Sequence, residues 1–196
     1  MDKKFNVTSS PHVRGRMDTQ KIMLCVLISL LPATLFGIYN FGYKALILIL
    51  VTVATCVVSE WLFDLIVKKD NTIKDLSAVV TGLLLALNLP HTLPWWQAVI
   101  GGVFAIVVVK CLFGGLGQNF MNPALGARVF LVISFASSMT SFTYDGITEA
   151  TPLALLKEGQ AVEPLKMLLG TEAGTIGETS VVCLLIGVDK RMMLYL

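Results

Sequence analysis

Charged residues are scarce in this sequence. Asp, Glu, Lys and Arg make up 14% of its 196 residues, whereas a soluble domain carries roughly 25%. Hydrophobic residues form 55% of the chain in long runs rather than amphipathic stripes, and the mean hydropathy is +0.77. This shortage of surface residues excludes an ordinary soluble domain. We therefore predict an all-α, polytopic integral membrane protein.

Cysteine is also rare, and its spacing excludes several kinds of site. Cys25, Cys56, Cys111 and Cys183 stand singly, mostly inside apolar runs. The sequence contains no CxxC pair, no metal-ligand spacing and no dinucleotide-binding glycine fingerprint. The cysteines are interpreted as buried small hydrophobes, and no metal site is predicted.

Six apolar stretches and one long polar loop organise the chain. A polar N-terminal arm covers 1–20, five stretches follow within 21–139, a loop covers 140–174, and the last stretch begins near 175. The five predicted spans lie near 21–39, 43–67, 76–89, 96–113 and 124–139. Pro32 predicts a kink in the first, and Gly101 and Gly102 predict close helix contact in the fourth. The first two are long enough for a bilayer core, which needs about 20 residues.

Basic residues predict the orientation in the membrane. With the N-terminus in the cytoplasm and every stretch crossing, the outside receives only Lys44, Lys157 and Lys166. The inside then receives Lys3, Lys4, Arg14, Arg16, Lys21, Lys68, Lys69, Lys74, Lys110 and Arg128. Cytoplasmic loops are enriched in Lys and Arg, so we predict a cytoplasmic N-terminus and an extracytoplasmic loop at 140–174.

The segment 114–123 (GGLGQNFMNP) is unusual beside a membrane span. Its three glycines allow close approach of a flat ligand, and Asn119 and Asn122 supply paired donors and acceptors. Arg128 follows shortly and requires a partner or water. The alternative is a cytoplasmic hairpin made of ordinary turn residues.

The third and sixth stretches contain further polar groups. The third is short and carries Thr81, Gly82 and Asn88, a pattern typical of mid-membrane sites in repeat-built transporters. Glu178 lies at the start of the sixth stretch. A carboxylate at membrane depth is costly unless it has a functional role or is paired.

The polar loop contains the segment 145–152 (DGITEATP). Gly146 permits a turn, and Pro152 pushes Thr151 out of the helical region, which leaves its hydroxyl open to modification. The alternative is that Thr148 or Thr151 simply caps the helix that follows.

Together these motifs resemble the family of the D subunit of the Rnf complex and the B subunit of sodium-translocating NADH:quinone oxidoreductase (the RnfD/NqrB family). The matching segments are 10–12 (SPH), 89–95 (LPHTLPW), 114–124, 145–151 and 177–180 (GETS). The resemblance is collinear over essentially the whole chain. It implies an inverted-repeat bundle similar to urea transporters, with the first repeat at 21–139 and the start of a truncated second repeat at 175–196.

The resemblance also implies cofactors. FMN would be joined to Thr151 through a phosphoester bond, installed by a separate flavin transferase that reads Asp145, Gly146, Thr148 and Ala150. Glu149 departs from the family pattern, in which a small residue is usual. Asn119 and Asn122 match asparagines at a riboflavin site in the quinone-reductase relatives.

The implied function is that of a membrane subunit of an ion-translocating ferredoxin:NAD oxidoreductase. It would carry electrons and couple their transfer to Na⁺ or H⁺ movement, as part of a redox-driven translocase rather than a complete enzyme. The implied partners are the other Rnf subunits and the lipid of the cell (inner or plasma) membrane, without nucleic acid. The alternatives are a small-solute channel or transporter and an inert scaffold subunit.

Overall fold

The structure, a computed structural model, describes residues 19–68, 75–144, 147–148, 152–157, 168, 170, 174–178 and 180–187. Its helices are α1 (Thr19–Phe41), α2 (Tyr43–Val67), α3 (Ser77–Leu87), α4 (Trp95–Val103), α5 (Pro123–Ser134), α6 (Ala136–Met139), α7 (Pro152–Lys157) and α8 (Val181–Gly187). A π-helical segment, Phe104–Cys111, continues α4. Two short strands, β1 (Thr143–Tyr144) and β2 (Ile147–Thr148), form an antiparallel pair.

The two long helices agree with the long apolar runs. Both α1 and α2 have the length and apolar composition of a membrane span, with a mean hydropathy of 2.3. Helix α1 continues through Pro32, where the sequence predicted a kink. Gly42, with φ of +70°, separates the two helices, and Lys68 ends α2 in the left-handed conformation. A glycine adopts such a φ without steric cost.

The remaining spans are shorter or more broken than predicted. The predicted fifth span is interrupted at Phe135, whose φ of −132° and ψ of 50° separate α5 from α6. Among its described residues, the sixth stretch is helical over Val181–Gly187, and the segment 174–178 before it is non-helical. The predicted bounds 124–139 and 175–187 therefore combine helical and non-helical backbone.

Small residues bring the central helices together. A Cβ added at Gly82 of α3 would lie 2.8 Å from the Cα of Val53 in α2. In α4, a Cβ at Gly101 would lie 2.6 Å from Leu131, and one at Gly102 would lie 3.1 Å from Thr55. Close approach at Gly101 and Gly102 was predicted from sequence and is confirmed, because glycine lets helix backbones pack in contact.

The bundle has two ends, each named here after one residue. At the Lys110 end, Lys110 of the π-helical segment contacts Glu60 and Ser77. At the His91 end, His91 stacks on Phe41, with ring centroids 4.5 Å apart. The α4 helix and its π-helical continuation run between the two ends over roughly 25 Å, at about 1.5 Å per residue.

Large hydrophobic side chains cover much of the exterior. Leu35 of α1, Ile66 of α2 and Ile133 of α5 are all exposed, while the packed core consists mainly of leucine and alanine. An apolar exterior suits a bilayer, where lipid replaces water as the solvent. The helical, membrane-type fold is confirmed; the inverted repeat, the domain limits and the truncation stay predictions.

Candidate functional site

The glycine-rich loop, residues 112–122, lies at the Lys110 end. Gly114, Gly115 and Gly117 have φ values of +114°, +100° and +85°. The N–H of Gly115 donates to the carbonyl of Lys110 at 3.0 Å, and the N–H of Gln118 donates to the carbonyl of Gly115 at 3.2 Å. Side chains larger than glycine rarely adopt these φ values, so the glycines set the path of the loop.

The two predicted flavin-binding asparagines have different roles in this loop. The Oδ1 atom of Asn122 accepts the N–H groups of Ala124 at 3.0 Å and Leu125 at 3.5 Å, so Asn122 caps α5 with Pro123 at its first position. The Oδ1 atom of Asn119 is buried and has no hydrogen-bond partner among the described residues. A buried acceptor without a partner is costly and calls for an explanation such as a ligand.

The buried Oδ1 atom of Asn119 has the hydrogen-bonding character that a riboflavin site requires. A flavin ring system carries an N–H donor on its polar edge, and the amide oxygen of Asn119 can accept from it. Gly117 leaves its backbone open to a flat ring, since a Cβ there would meet nothing within 4 Å, whereas Gly114 lies against the side chain of Gln118. Asn119 therefore fits the prediction of a riboflavin-binding side chain. The Oδ1 atom of Asn122 is instead occupied by the backbone N–H groups that it caps.

A series of hydrogen-bonded charged and polar side chains lies next to the glycine-rich loop. Lys110 Nζ donates to Glu60 Oε1 at 2.6 Å and to Ser77 Oγ at 2.5 Å, and both charged side chains are 2% exposed. The hydroxyl of Ser77 donates in turn to Asp75 Oδ1 at 2.6 Å. We call this Glu60–Lys110–Ser77–Asp75 arrangement the Lys110 bridge.

The position of Lys110 corrects the prediction made from basic residues. Lys110 was counted among the charges facing the cytoplasm, but it is buried between α2, α3 and the π-helical segment. One signal could have revealed it: Glu60 and Lys110 are opposite charges inside two apolar stretches. Charges at such positions are expensive unless paired with one another.

A cavity of about 210 Å³ adjoins the Lys110 bridge. Its walls include Glu60, Asp64 and Asp75 on one side and Gly114, Gly115 and Leu116 of the glycine-rich loop on the other. Among the described residues, no cluster of His, Cys, Asp and Glu has the arrangement of a metal site. The cavity borders the glycine-rich loop and has both acidic and apolar walls, the apolar ones including Phe63, Cys111 and Leu116.

A second polar group lies where α3 ends and the non-helical segment 174–178 contacts it. Arg128 Nη1 donates to Asn88 Oδ1 at 2.8 Å and lies 3.9 Å from Glu178 Oε1. Here the N–H of Gly177 donates to the carbonyl of Leu87 at 2.8 Å. The structure thus brings together Asn88, Arg128 and Glu178, which were singled out separately from the sequence. We call this group the central junction.

The predicted flavinylation segment leaves the bundle at the opposite end from the glycine-rich loop. Thr92 Oγ1, next to His91, donates to the carbonyl of Ser141 at 3.0 Å. Strand β1 follows Ser141, and Thr143 of β1 is paired with Thr148 of β2. The predicted motif residues Asp145, Gly146, Ala150 and Thr151 lie outside the described residues. Helix α7 begins at Pro152, close to where a helix was predicted.

His91 marks a low-polarity environment at its end of the bundle. Burial lowers the pKa of His91, and the positive charge of Lys44 lowers it further. Both causes favour the neutral imidazole that stacks on Phe41. The His91 end therefore holds a stacked aromatic pair, in contrast to the ion pair of the Lys110 bridge.

The four cysteines are distributed through the bundle. Cys56 is buried against Gly102, as predicted for a small hydrophobe, while Cys25, Cys111 and Cys183 are half-buried. The expectation of full burial is thus correct for one thiol and wrong for three. None of the four is disulfide-bonded.

Comparison with known proteins identifies the family to which this chain is similar. Residues 6–194 match the sequence model of the NQR2, RnfD, RnfE family. The chain is 50% identical over 192 residues to the D subunit of the Na(+)-translocating ferredoxin:NAD(+) oxidoreductase complex of Acetobacterium woodii, covering 93% of this chain and 60% of that protein.

Two other relatives have related names. The D subunit of the proton-translocating ferredoxin:NAD(+) oxidoreductase complex of Clostridium ljungdahlii is 40% identical, over 93% of this chain and 60% of that protein. The D subunit of the ion-translocating oxidoreductase complex of Rhodobacter capsulatus is 35% identical, over 91% and 61%. The chain thus spans about three fifths of the length of these curated relatives.

Proposed function

The chain belongs to the NQR2, RnfD, RnfE family, and from this we propose that it is a membrane subunit of an ion-translocating ferredoxin:NAD oxidoreductase. It carries electrons through FMN attached to Thr151 and works with the other subunits of an Rnf complex. The observation that carries the proposal is the segment 145–151 (DGITEAT), which resembles the flavinylation motif except at Glu149, within a chain whose residues 6–194 match the family.

The protein's own part in this function is attachment and placement. The hydroxyl of Thr151 forms the phosphoester, and Asp145, Gly146, Thr148 and Ala150 form the sequence that the flavin transferase reads. Bound FMN supplies one- and two-electron chemistry that side chains cannot. Ser141 and β1 lead from the bundle to this segment at the His91 end, which supports a cofactor at that surface.

A second, non-covalent riboflavin is proposed at the glycine-rich loop. The buried acceptor of Asn119, which no described residue occupies, supports it, as do the glycines with positive φ beside it. Asn122 would contribute by fixing the end of the loop through its cap on α5. Two flavin sites at opposite ends of the bundle would give electrons a stepping stone on each side of the membrane.

The proposed orientation places the Lys110 end in the cytoplasm and the His91 end outside. Lys68 lies at the Lys110 end, while Lys44 is the exposed base near His91. With the basic N-terminal arm, this distribution favours a cytoplasmic N-terminus in the cell membrane. Removing Lys110 from the count does not reverse the excess of inner basic residues.

Ion coupling belongs to the proposal for the whole complex. Two similar proteins are named for different ions, Na⁺ in Acetobacterium woodii and protons in Clostridium ljungdahlii. We propose that electron transfer through this chain drives movement of one of these ions. Ferredoxin and NAD would bind other subunits, since this sequence has no dinucleotide fingerprint or iron–sulfur cysteine set.

A small-solute channel or transporter is the second candidate. The central junction favours it, because ionisable groups beside interrupted helices are typical of transport pathways. An attached flavin separates the two functions, since a solute channel has no use for covalent FMN. Fold alone does not decide between them.

The test is a denaturing gel of the membrane-expressed chain, co-produced with its flavin transferase and viewed under ultraviolet light. We expect a fluorescent band for the wild type and none for Thr151→Ala. Thr143→Ala is the matched control, because Thr143 lies across the strand pair from Thr148 but outside the motif; its band should remain. If the wild-type band is dark while the transferase modifies another substrate, the flavoprotein proposal is wrong. The channel or transporter would then be the better candidate.

A further inference from the structure

Lys110 is among the largest fully buried side chains in the bundle. Its ammonium contacts Glu60 of α2 and Ser77 of α3, which are 50 and 33 positions away in the chain. Ser77 extends the chain to Asp75 through both its hydroxyl and its backbone N–H, at 2.6 and 2.9 Å. One side chain therefore joins three helical elements at the Lys110 end.

Stability alone is a weak explanation for such a bridge. The cost of removing two charges from water often equals or exceeds the gain from their attraction. A buried pair therefore points to a geometric role when something nearby depends on its exact position. The neighbouring feature here is the glycine-rich loop, which begins directly after the π-helical segment that carries Lys110.

The backbone of Lys110 is part of that loop's support. Its carbonyl accepts the N–H of Gly115 at 3.0 Å, and the carbonyl of Cys111 accepts the N–H of Gly114 at 3.1 Å. The side chain of Lys110 thus fixes the end of the π-helical segment, and its carbonyl fixes the first turn of the loop. Short π-helical segments are frequently found at functional sites.

The far side of the loop is fixed independently. Asn122 caps α5, and the ring centroids of Phe113 and Phe120 lie 4.6 Å apart across the loop. Asn119 lies between the Lys110 anchor and the Asn122 anchor, and its buried Oδ1 atom is the acceptor available to a ligand. Displacement of either anchor would move this acceptor.

We infer that Lys110 is a positioning residue for the non-covalent flavin: the Lys110 bridge holds the glycine-rich loop so that Asn119 can bind the ring. This inference rests on the proposed riboflavin site. It assigns a role to a lysine, a glutamate and a serine that the flavinylation motif does not involve. Lys110 acts through the loop and does not itself contact the cofactor.

The experiment measures two flavins separately in the same purified protein. The chain is expressed in membranes with the transferase and the partner subunits. Covalent FMN is read from the denatured band, and riboflavin from the protein-free supernatant. The wild type and variants are then titrated with riboflavin, and its fluorescence gives the dissociation constant.

The main variant is the double substitution Lys110→Met with Glu60→Gln, which removes both charges of the buried ion pair together. We expect covalent FMN to be retained and riboflavin affinity to fall by about tenfold to a hundredfold, the range typical of groups that orient ligand-holding residues. Ser77→Ala is a second, milder variant because it removes the two hydrogen bonds of the hydroxyl, from Lys110 and to Asp75, and no charge. We expect it to weaken riboflavin binding by about threefold to tenfold.

Each outcome decides something. Unchanged riboflavin affinity in the double variant, or in Ser77→Ala if the double variant does not accumulate, would overturn the positioning role. A wild type with covalent FMN but no riboflavin would overturn both the second flavin site and this inference, leaving the Thr151 proposal intact. A wild type with neither flavin would overturn the proposed function itself.

Discussion

Two acid–base pairs in the same bundle differ in distance and in burial. Lys110 Nζ lies 2.6 Å from Glu60 Oε1, and both side chains are 2% exposed. Arg128 Nη1 lies 3.9 Å from Glu178 Oε1, with side chains 32% and 60% exposed. A buried pair keeps its geometry because breaking it leaves a charge without compensation, whereas an open pair can exchange its contact for water.

The difference separates a fixed end from an adaptable centre. The Lys110 bridge is held by three helical elements and supports a loop with a candidate ligand acceptor. The central junction is held by one short hydrogen bond between Arg128 and Asn88 and by backbone contacts between non-helical segments. We expect the first to act as a frame and the second to accommodate rearrangement.

The largest expected effect comes from breaking the buried pair on one side only. Lys110→Met leaves Glu60 buried without its cation, so the free energy of unfolding should fall by about 3–5 kcal/mol. Unfolding in mixed micelles titrated with a denaturing detergent measures this loss. Lys44→Met is the control, because Lys44 is exposed at the other end.

That control should change the free energy of unfolding by less than about 0.5 kcal/mol, as is usual for surface substitutions. A similarly small loss for Lys110→Met would mean that water reaches Glu60. The Lys110 bridge would then not be more rigidly held than the central junction.

Packing between α2 and α3 gives the next largest effect. In Gly82→Ala, the new Cβ would lie 2.8 Å from the Cα of Val53 and 3.3 Å from Cys56. The helices must separate, which should cost about 1–3 kcal/mol of unfolding free energy. Gly174→Ala is a matched control, since a Cβ there meets nothing within 4 Å.

Gly82→Ala leaves every charge in place. It therefore tests whether the rigidity of the Lys110 end depends on helix packing as well as on the ion pair. An equal loss for Gly82→Ala and Gly174→Ala would show that α2 and α3 can move apart freely. The Lys110 bridge would then be holding a loose interface rather than reinforcing a tight one.

The two loop asparagines should separate stability from binding. Asn122→Ala removes the cap of α5 and should lower the free energy of unfolding by about 1 kcal/mol. Asn119→Ala removes an acceptor that no described residue uses, so stability should change by less than about 0.5 kcal/mol while bound riboflavin is lost. Denaturing-detergent titration and riboflavin release measure the two quantities, and the reverse pattern would contradict the assignment.

Much of the fold could be predicted because it depends on local composition. Long apolar runs determine α1 and α2, and Gly42 separates them through its own φ. Gly101 and Gly102 indicated close helix contact because small residues let helices approach inside a span. These features are written in neighbouring residues and need no long-range information.

The candidate site was less predictable because its contacts are distant in sequence. Lys110 looked like a loop charge, since counting basic residues assumes that they lie outside the membrane. Asn119 and Asn122 looked equivalent, and only the start of α5 at Pro123 turns one of them into a cap. The interruption at Phe135 had no signal in the apolar pattern.

The smallest effect is expected at the central junction, and it tests the comparison most directly. Glu178→Gln removes a charge that lies 3.9 Å from Arg128 in partial contact with solvent, so the free energy of unfolding should change by about 0–1 kcal/mol. Glu60→Gln is the same substitution in the buried pair and should cost several times more, since Lys110 has no solvent to replace its counter-charge. Both variants are measured in the same titration. Equal losses would mean that the junction is as closed as the Lys110 end; a small loss at Glu178 beside a large one at Glu60 requires that the two pairs serve different roles.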